Sequence, residues 1–385
     1  MTGSTHVPLL DINRDNLPHR DEFVEALTAV VDSGRFLFGP DVVDLEKEVA
    51  THSQAEFAVG CASGSDALLL ALMALDIGPG DEVIVPSFTF FASVSCITRL
   101  GATPVFVDIC PDTFNVDPQC IADAITSKTR AIIPVHLFGQ CAQIDRICQI
   151  ATQHDIPVIE DAAQAIGAAY HSRPAGSWGL AGCFSFYPTK NLGGMGDGGM
   201  LTSNDETYAD RLRLLAGHGM RPRYYHQEVG INSRLDTFQA AVLRIKLRHL
   251  DEAVESRQAI ASRYMTLLTD AGLVGPDQIV LPTVDANAFH VWNQFGVRVG
   301  GGRRDALRSH LGDRGIGSEI YYPVPVHRQE CYASLKIDSA TLPETERACA
   351  EILNLPIFPT LTAREQEQVV DGIAAYYRAG ARVAA

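Results

Sequence analysis

The segment Cys183-Phe184-Ser185-Phe186-Tyr187-Pro188-Thr189-Lys190-Asn191-Leu192-Gly193-Gly194 carries a lysine just beyond a short apolar run, with a serine five positions before it. An amine so placed can form a Schiff base with a carbonyl while the serine hydroxyl meets a phosphate. Upstream, Glu160-Asp161-Ala162-Ala163-Gln164 puts an acid at the end of a second apolar run. A carboxylate there can pair with a pyridinium nitrogen and keep it protonated, which makes the ring an electron sink, and Gln164 can donate to a ring hydroxyl. These are the parts that pyridoxal phosphate (PLP) chemistry requires. Each has a plain structural reading as well. A lysine beside a loop is normally solvated, and Asp161 followed by Gln164 is the pattern of a capped helix.

Four other places bear on the same chemistry. Ser63-Gly64-Ser65-Asp66-Ala67-Leu68 opens a helical pattern. The free N–H groups of a helix start bind phosphate and serine hydroxyls add donors, yet Ser and Asp are also ordinary N-caps. Phe88-Thr89-Phe90-Phe91 can lay one ring over a cofactor or simply fill the core. His136 reads more readily as a satisfied structural histidine than as a catalyst. The glycines between Gly193 and Gly199 let backbone approach a cofactor or make tight turns.

The elements that must position these residues are legible as an alternation. Apolar, β-rich runs at 83–85, 104–109, 131–135, 157–160, 183–187 and 199–202 alternate with helical patterns at 65–75, 91–100, 118–125 and 144–154. Strands this apolar predict a mostly parallel sheet covered on both faces. Ligands gather beyond the carboxyl ends of such strands, and Ser87 to Phe90, His136, Asp161 and Lys190 all follow strand ends. From 235 to about 270 the spacing of Leu243, Leu247, Leu250 and Val254 predicts one long amphipathic helix bridging to a second region. There, 289–299, 304–314 and 320–322 read as strand, helix and strand, and a helix near 364–379 closes a small α+β unit.

At 385 residues the chain is too long for one small core. Its 46% hydrophobic and 20% charged content is that of an ordinary globular protein. No apolar run is long enough to span a bilayer, and residues 1–20 lack the pattern of a secretory signal. Nine cysteines, an odd number with no C-x-x-C pair, predict reduced thiols, a cytoplasmic protein and no zinc site built on them. A net charge of −15 argues against a nucleic-acid binder while leaving room for a local phosphate pocket.

An ordered series of blocks over nearly the whole chain, from Phe38-Gly39-Pro40 to Leu355-Pro356, resembles the DegT/DnrJ/StrS family of PLP-dependent sugar aminotransferases. The blocks include Ser63-Gly64-Ser65-Asp66-Ala67-Leu68, Gly78-Pro79-Gly80-Asp81-Glu82-Val83 and Pro86-Ser87-Phe88-Thr89-Phe90. They continue with Pro134-Val135-His136-Leu137-Phe138-Gly139-Gln140, Glu160-Asp161-Ala162-Ala163-Gln164 and Ser185-Phe186-Tyr187-Pro188-Thr189-Lys190-Asn191. Asn232-Ser233-Arg234-Leu235-Asp236 and Tyr322-Pro323-Val324-Pro325-Val326-His327 complete the series.

The resemblance implies an α/β fold of the aspartate aminotransferase type (fold type I). It has a three-layer large PLP-binding domain with a mostly parallel mixed sheet at 1–248, whose N-terminal segment packs on the other domain. A smaller α+β C-terminal domain follows at 249–385. It implies that Lys190 holds PLP as a Schiff base and then moves the proton between cofactor and substrate carbons. Asp161 would hold the pyridine nitrogen, Gln164 the ring hydroxyl side and Phe90 the opposite ring face. Gly64, Ser65 and Ser185 would bind the phosphate, and Asn232 would reach it from the second subunit of a homodimer. His327, Tyr321 and Tyr322 fall where the family builds part of its sugar pocket. Ser65 stands where many relatives have threonine, and the hydroxyl is kept.

The expected reaction is a two-stage transfer from L-glutamate, which leaves as 2-oxoglutarate, to a nucleotide-diphosphate-linked ketosugar. The surroundings of Lys190 and Asn232 look most like members acting on 3-keto sugars; a 4-keto sugar or a cyclitol ketone is the alternative acceptor. Two other classes stand beside it, a PLP-dependent sugar dehydratase and a non-catalytic sensor. A lysine rather than a histidine at 190 disfavours the first. The full set of cofactor residues disfavours the second.

Overall fold

A computed structural model describes residues 6–383. The ends of the two expected domain ranges and of the stretch read for a secretory signal, 1–5 and 384–385, lie outside the described residues. A seven-strand array forms the centre, in the order Phe57–Cys61, Gly199–Ser203, Ala181–Ser185, Ile159–Asp161, Thr129–Ile132, Glu82–Pro86, Thr103–Val107. The segments around Ile159–Asp161 and Thr129–Ile132 are joined by two isolated parallel bridges, Ile132↔Val158 and Val135↔Asp161. Only Gly199–Ser203 runs against its neighbours. The expected mostly parallel mixed sheet is therefore the one found.

Period-two burial explains why the sheet is covered on both sides. Ile84, Ile132, Phe184 and Met200 point into one core, with Leu45 and Leu243. Val83, Val85, Ala131, Ile133, Cys183 and Leu201 point into the other, with Leu68 and Leu72. A strand apolar on both faces cannot sit at a wetted surface, so helices must flank it. Among these, Gly64–Met73 begins where Ser63 Oγ accepts from the Asp66 N–H at 3.1 Å, a side-chain N-cap.

The C-terminal part carries its own antiparallel sheet, Ile279–Val280, Phe295–Val299 and Ile352–Leu355, under the helices Arg304–Asp313 and Ala363–Val383. Its core, with Phe295, Leu307 and Val369, runs without a break into Phe88, Phe114 and Phe138 from the first part. The N-terminal segment lies against this region. Val7 bridges Ile316, and Arg14 pairs with Glu365 at 2.9 Å.

Two sequence expectations are corrected. The long helix over 235–270 is two helices, Thr237–Arg248 and Leu250–Asp270. They part at His249 (φ −107°, ψ 7°), whose N–H bonds the carbonyl of Lys246, so the last turn tightens and the path restarts. Residues 320–322 are not a strand. The place beside Phe295–Val299 is taken by Ile352–Leu355, met by Glu319 through an isolated bridge to Asn354.

Candidate active site

Beyond the carboxyl ends of the parallel strands lies a cavity of about 570 Å³. Gly64, Ser65, Phe90, Asp161, Gln164, Ser185, Lys190, Tyr321 and Tyr322 all line it. Asn232 and His327 do not.

Lys190 sits on the turn that follows strand Ala181–Ser185, its N–H bonded to the carbonyl of Tyr187 at 2.9 Å. Burial brings its ammonium down from 10.5 to about 8, against the pull of Asp161. Among the described residues its side chain makes no hydrogen bond.

Asp161 ends the strand Ile159–Asp161 and is 4% exposed. No helix follows it, so the capped-helix alternative falls. Its Oδ1 accepts from the Ala163 N–H at 3.1 Å and its Oδ2 from the Ser93 hydroxyl at 2.6 Å. Burial pushes the carboxyl above the ordinary carboxylate range, opposed by Ser93, the Ala163 N–H, Lys190 and His136. A buried carboxylate with no cation hydrogen-bonded to it, in the wall of a cavity, is suited to a cationic ring nitrogen.

Gln164 is held by its own carbonyl oxygen, which accepts from the Phe138 N–H at 2.6 Å. That fixes which end of the amide faces the cavity. Its Nε2 lies 3.4 Å from the Tyr322 hydroxyl, and Tyr322 in turn is 6.0 Å, ring to ring, from Phe90. Burial and the nearby Asp161 raise the Tyr322 phenol. Phe90 is half exposed, while Phe88 beside it is in the core, so the two readings of that aromatic motif are divided between its residues.

The phosphate end of the site is a close approach of backbones. A Cβ on Gly64 would lie 2.6 Å from Ser185 Cβ, and one on Gly199 would lie 2.4 Å from the Ser63 carbonyl carbon. Only glycine lets the helix start reach the strand ends, where it presents its free N–H groups beside the hydroxyls of Ser65 and Ser185. These residues together fit PLP.

His327 belongs elsewhere. It is 4% exposed, with Nδ1 at 2.7 Å from Ser87 Oγ and Nε2 at 3.0 Å from both Ser339 Oγ and Glu346 Oε1. Both ring nitrogens are engaged in holding the loop that follows Tyr322 to the end of strand Glu82–Pro86. Asn232 is exposed, accepts from Arg234 at 2.6 Å and is not among the residues lining the cavity of its own chain. His136 is fully buried: its Nδ1 accepts from the Ala142 N–H, so Nε2 carries the proton donated to Glu160 at 3.0 Å. Glu160 also receives the N–H groups of Gly176, Trp178 and Gly179, which makes the pair a structural node.

Sequence reasoning missed Ser93, and also Thr89, Tyr187 and Gln294 on the cavity wall. Thr89 stood inside a quoted block without a role. Ser93 gives no local signal, because its partner is 68 residues away.

Comparison with known proteins adds to this geometry. Residues 18–374 match the DegT/DnrJ/EryC1/StrS aminotransferase family. The pleiotropic regulatory protein of Geobacillus stearothermophilus is 47% identical, over 97% of this chain and 99% of its own. The dTDP-3-amino-3,4,6-trideoxy-alpha-D-glucose transaminase of Streptomyces venezuelae is 45% identical, over 95% of each chain. Among solved structures, S. venezuelae DesV in complex with a ketimine intermediate has a TM-score of 0.92 at 45% identity, covering 96% of this chain and 98% of that one.

Proposed function

Since the chain belongs to the DegT/DnrJ/EryC1/StrS aminotransferase family, we propose that it moves an amino group from L-glutamate to a nucleotide-diphosphate-linked ketosugar, a 3-keto-deoxyhexose, giving a 3-amino sugar. It is a PLP-dependent aminotransferase of the aspartate aminotransferase fold. The observation that carries the proposal is the meeting of Lys190, Asp161 and the Gly64–Ser185 cradle on one cavity. The 3-keto acceptor is favoured by the streptomycete transaminase, whose name places nitrogen at C3. The regulatory name of the Geobacillus relative does not outweigh a cavity that gathers Lys190, Asp161, Gln164 and Ser185.

Bound PLP supplies the electron sink that lets an amine carbon give up its proton. The chain supplies the rest. Lys190 Nζ, with a pKa near 8, is partly neutral at physiological pH and serves as the base that holds and returns that proton. Asp161 would stabilise positive charge on the ring nitrogen, Gln164 would offer its Nε2 to the ring hydroxyl, and Phe90 would cover a ring face. Ser65, Ser185 and the helix start around Gly64 hold the phosphate. Tyr321 and Tyr322 wall the side on which a sugar would lie. Asn232 would complete the phosphate site of a second copy in a homodimer; its exposure and its absence from the lining of its own chain's cavity support this reading. We place the protein in the cytoplasm, a reading that the free thiols and a nucleotide-linked substrate support.

The test is incubation of the PLP-loaded protein with glutamate and a panel of nucleotide-linked 3-keto and 4-keto deoxysugars, with products identified by mass and NMR. Nitrogen at C3 is expected; nitrogen at C4 alone would overturn the acceptor. Lys190→Ala should abolish turnover and the absorption of lysine-bound cofactor, and full activity in that variant would overturn the mechanism.

A further inference from the structure

Two copies of one short pattern meet in space far from each other in sequence. His19-Arg20-Asp21-Glu22 and His249-Leu250-Asp251-Glu252 each place a histidine directly before a long helix, Arg20–Ser33 and Leu250–Asp270, with a glutamate three residues on. That spacing sets each carboxylate over its own imidazole. His19 Nδ1 lies 3.7 Å from Glu22 Oε1, and His249 Nδ1 lies 3.7 Å from Glu252 Oε2. The two rings stack, with centroids 4.1 Å apart and planes at 28°.

Histidine is a poor choice for this position if capping is its task, since Ser, Thr, Asp and Asn cap helices better. Neither imidazole makes a side-chain cap hydrogen bond. We infer that His19, Glu22 and His249 form a site for a divalent transition ion of the zinc class, with Glu252 available as a fourth ligand. One ligand atom from each of the three lies within 4.8 Å of the others. Tetrahedral zinc, with bonds of about 2.0–2.2 Å to nitrogen and oxygen, draws its ligand atoms to roughly 3.3 Å, so binding requires the two stacked imidazoles to rotate apart until their in-plane lone pairs converge on the ion. The ligand set of imidazoles and carboxylates suits zinc, nickel or cobalt and not magnesium, which prefers oxygen alone.

The electrostatics are consistent. Two helix starts direct positive dipole ends at the site, and Asp21, Glu22, Asp251 and Glu252 in the first turns offset them. Arg248 holds Glu22 Oε2 at 2.9 Å and leaves Oε1 toward His19. An ion here would tie the start of the N-terminal helix to the break between Thr237–Arg248 and Leu250–Asp270. His19, His249 and Glu252 also line a cavity of about 230 Å³ that is shared with Thr189, Lys190 and Asn191, so the site stands beside the catalytic segment.

The test uses chelator-treated, PLP-loaded enzyme titrated with Zn²⁺, Ni²⁺ and Mg²⁺ by calorimetry at pH 7.5. We expect one Zn²⁺ or Ni²⁺ per chain, no Mg²⁺, and a rise in Tm of about 3 °C at saturating Zn²⁺. His19→Ala, His249→Ala and the milder Glu22→Gln should each weaken Zn²⁺ at least tenfold, whereas Cys331→Ser, at the exposed cysteine, should not. Zn²⁺ affinity unchanged in His249→Ala and in Glu22→Gln would overturn the site, as would the absence of binding.

Discussion

Ser93 Oγ donates to Asp161 Oδ2 at 2.6 Å, and Thr89 Oγ1 lies 2.9 Å behind it. A hydroxyl has one proton to give. With Ser93's committed to the carboxylate, Thr89 must donate to Ser93, so a short relay starting after strand Glu82–Pro86 orients the acid in the cavity wall. The bond favours ionised Asp161, the form that can hold a cationic ring nitrogen.

Ser93→Ala removes that preference. A hydrogen bond to a charged group contributes roughly 1.5 kcal/mol or more, so kcat/KM should fall about tenfold. The acid limb of its pH profile should move to higher pH, because Asp161 loses a partner that lowers its pKa. A stopped acid limb, unmoved in the variant, would mean the relay does not act through Asp161.

Gly64→Ala forces a Cβ to within 2.6 Å of Ser185 Cβ, against a strand end that cannot retreat without disturbing its neighbours. PLP affinity, followed by fluorescence titration, should drop at least tenfold while the circular dichroism of the protein stays native. Unchanged affinity would show that the phosphate is held elsewhere.

Lys190 links stability to pH in the cofactor-free protein. Its folded pKa of about 8 lies below its ordinary 10.5, so the unfolded chain binds more protons between these values. Stability should therefore rise with pH from about 8 to 10.5, recovering on the order of 3 kcal/mol that the buried ammonium costs at lower pH. Lys246, also near 8 through burial, adds a slope of the same sign. The measurement is thus a difference: urea unfolding of cofactor-free wild type against Lys190→Met, with the variant showing the flatter curve. Parallel curves would place the lysine in water.

His327→Ala separates a structural histidine from a sugar contact. Losing its bonds to Ser87, Ser339 and Glu346 should cost roughly 2–3 kcal/mol, read as a Tm several degrees lower. The KM for the ketosugar should stay within about threefold. A tenfold KM rise at unchanged Tm would return His327 to the sugar pocket.

The parallel core strands were legible because each is an apolar run ended by turn residues, and the residues after them marked the site before any coordinates. The helix break at His249 was not legible. Neither proline nor glycine stands there, and the amphipathic spacing of Leu243, Leu247 and Leu250 continues across it. The misplaced strand at 320–322 has a similar cause: Ile320, Tyr321 and Tyr322 carry strand-like side chains, but the sheet position went to Ile352–Leu355, a competition among distant segments. His327 looked like a site residue because of the block it ends, and only packing showed both its nitrogens spent.

By itself, the order of residue types determined the family, the choice of Lys190 and Asp161 as candidates for its chemistry, and the sheet that carries them. These rest on local pattern, on what a side chain can do and on what must be buried. Tertiary structure alone decided that Ser93 aims Asp161, that Phe138 turns Gln164, and that Gly64 must be glycine because Ser185 is 2.6 Å from where its Cβ would be. It also brought His19 to His249 across 230 residues of chain. Such contacts depend on distances between segments far apart in sequence, and neither the composition nor the period of one segment records where another will pack.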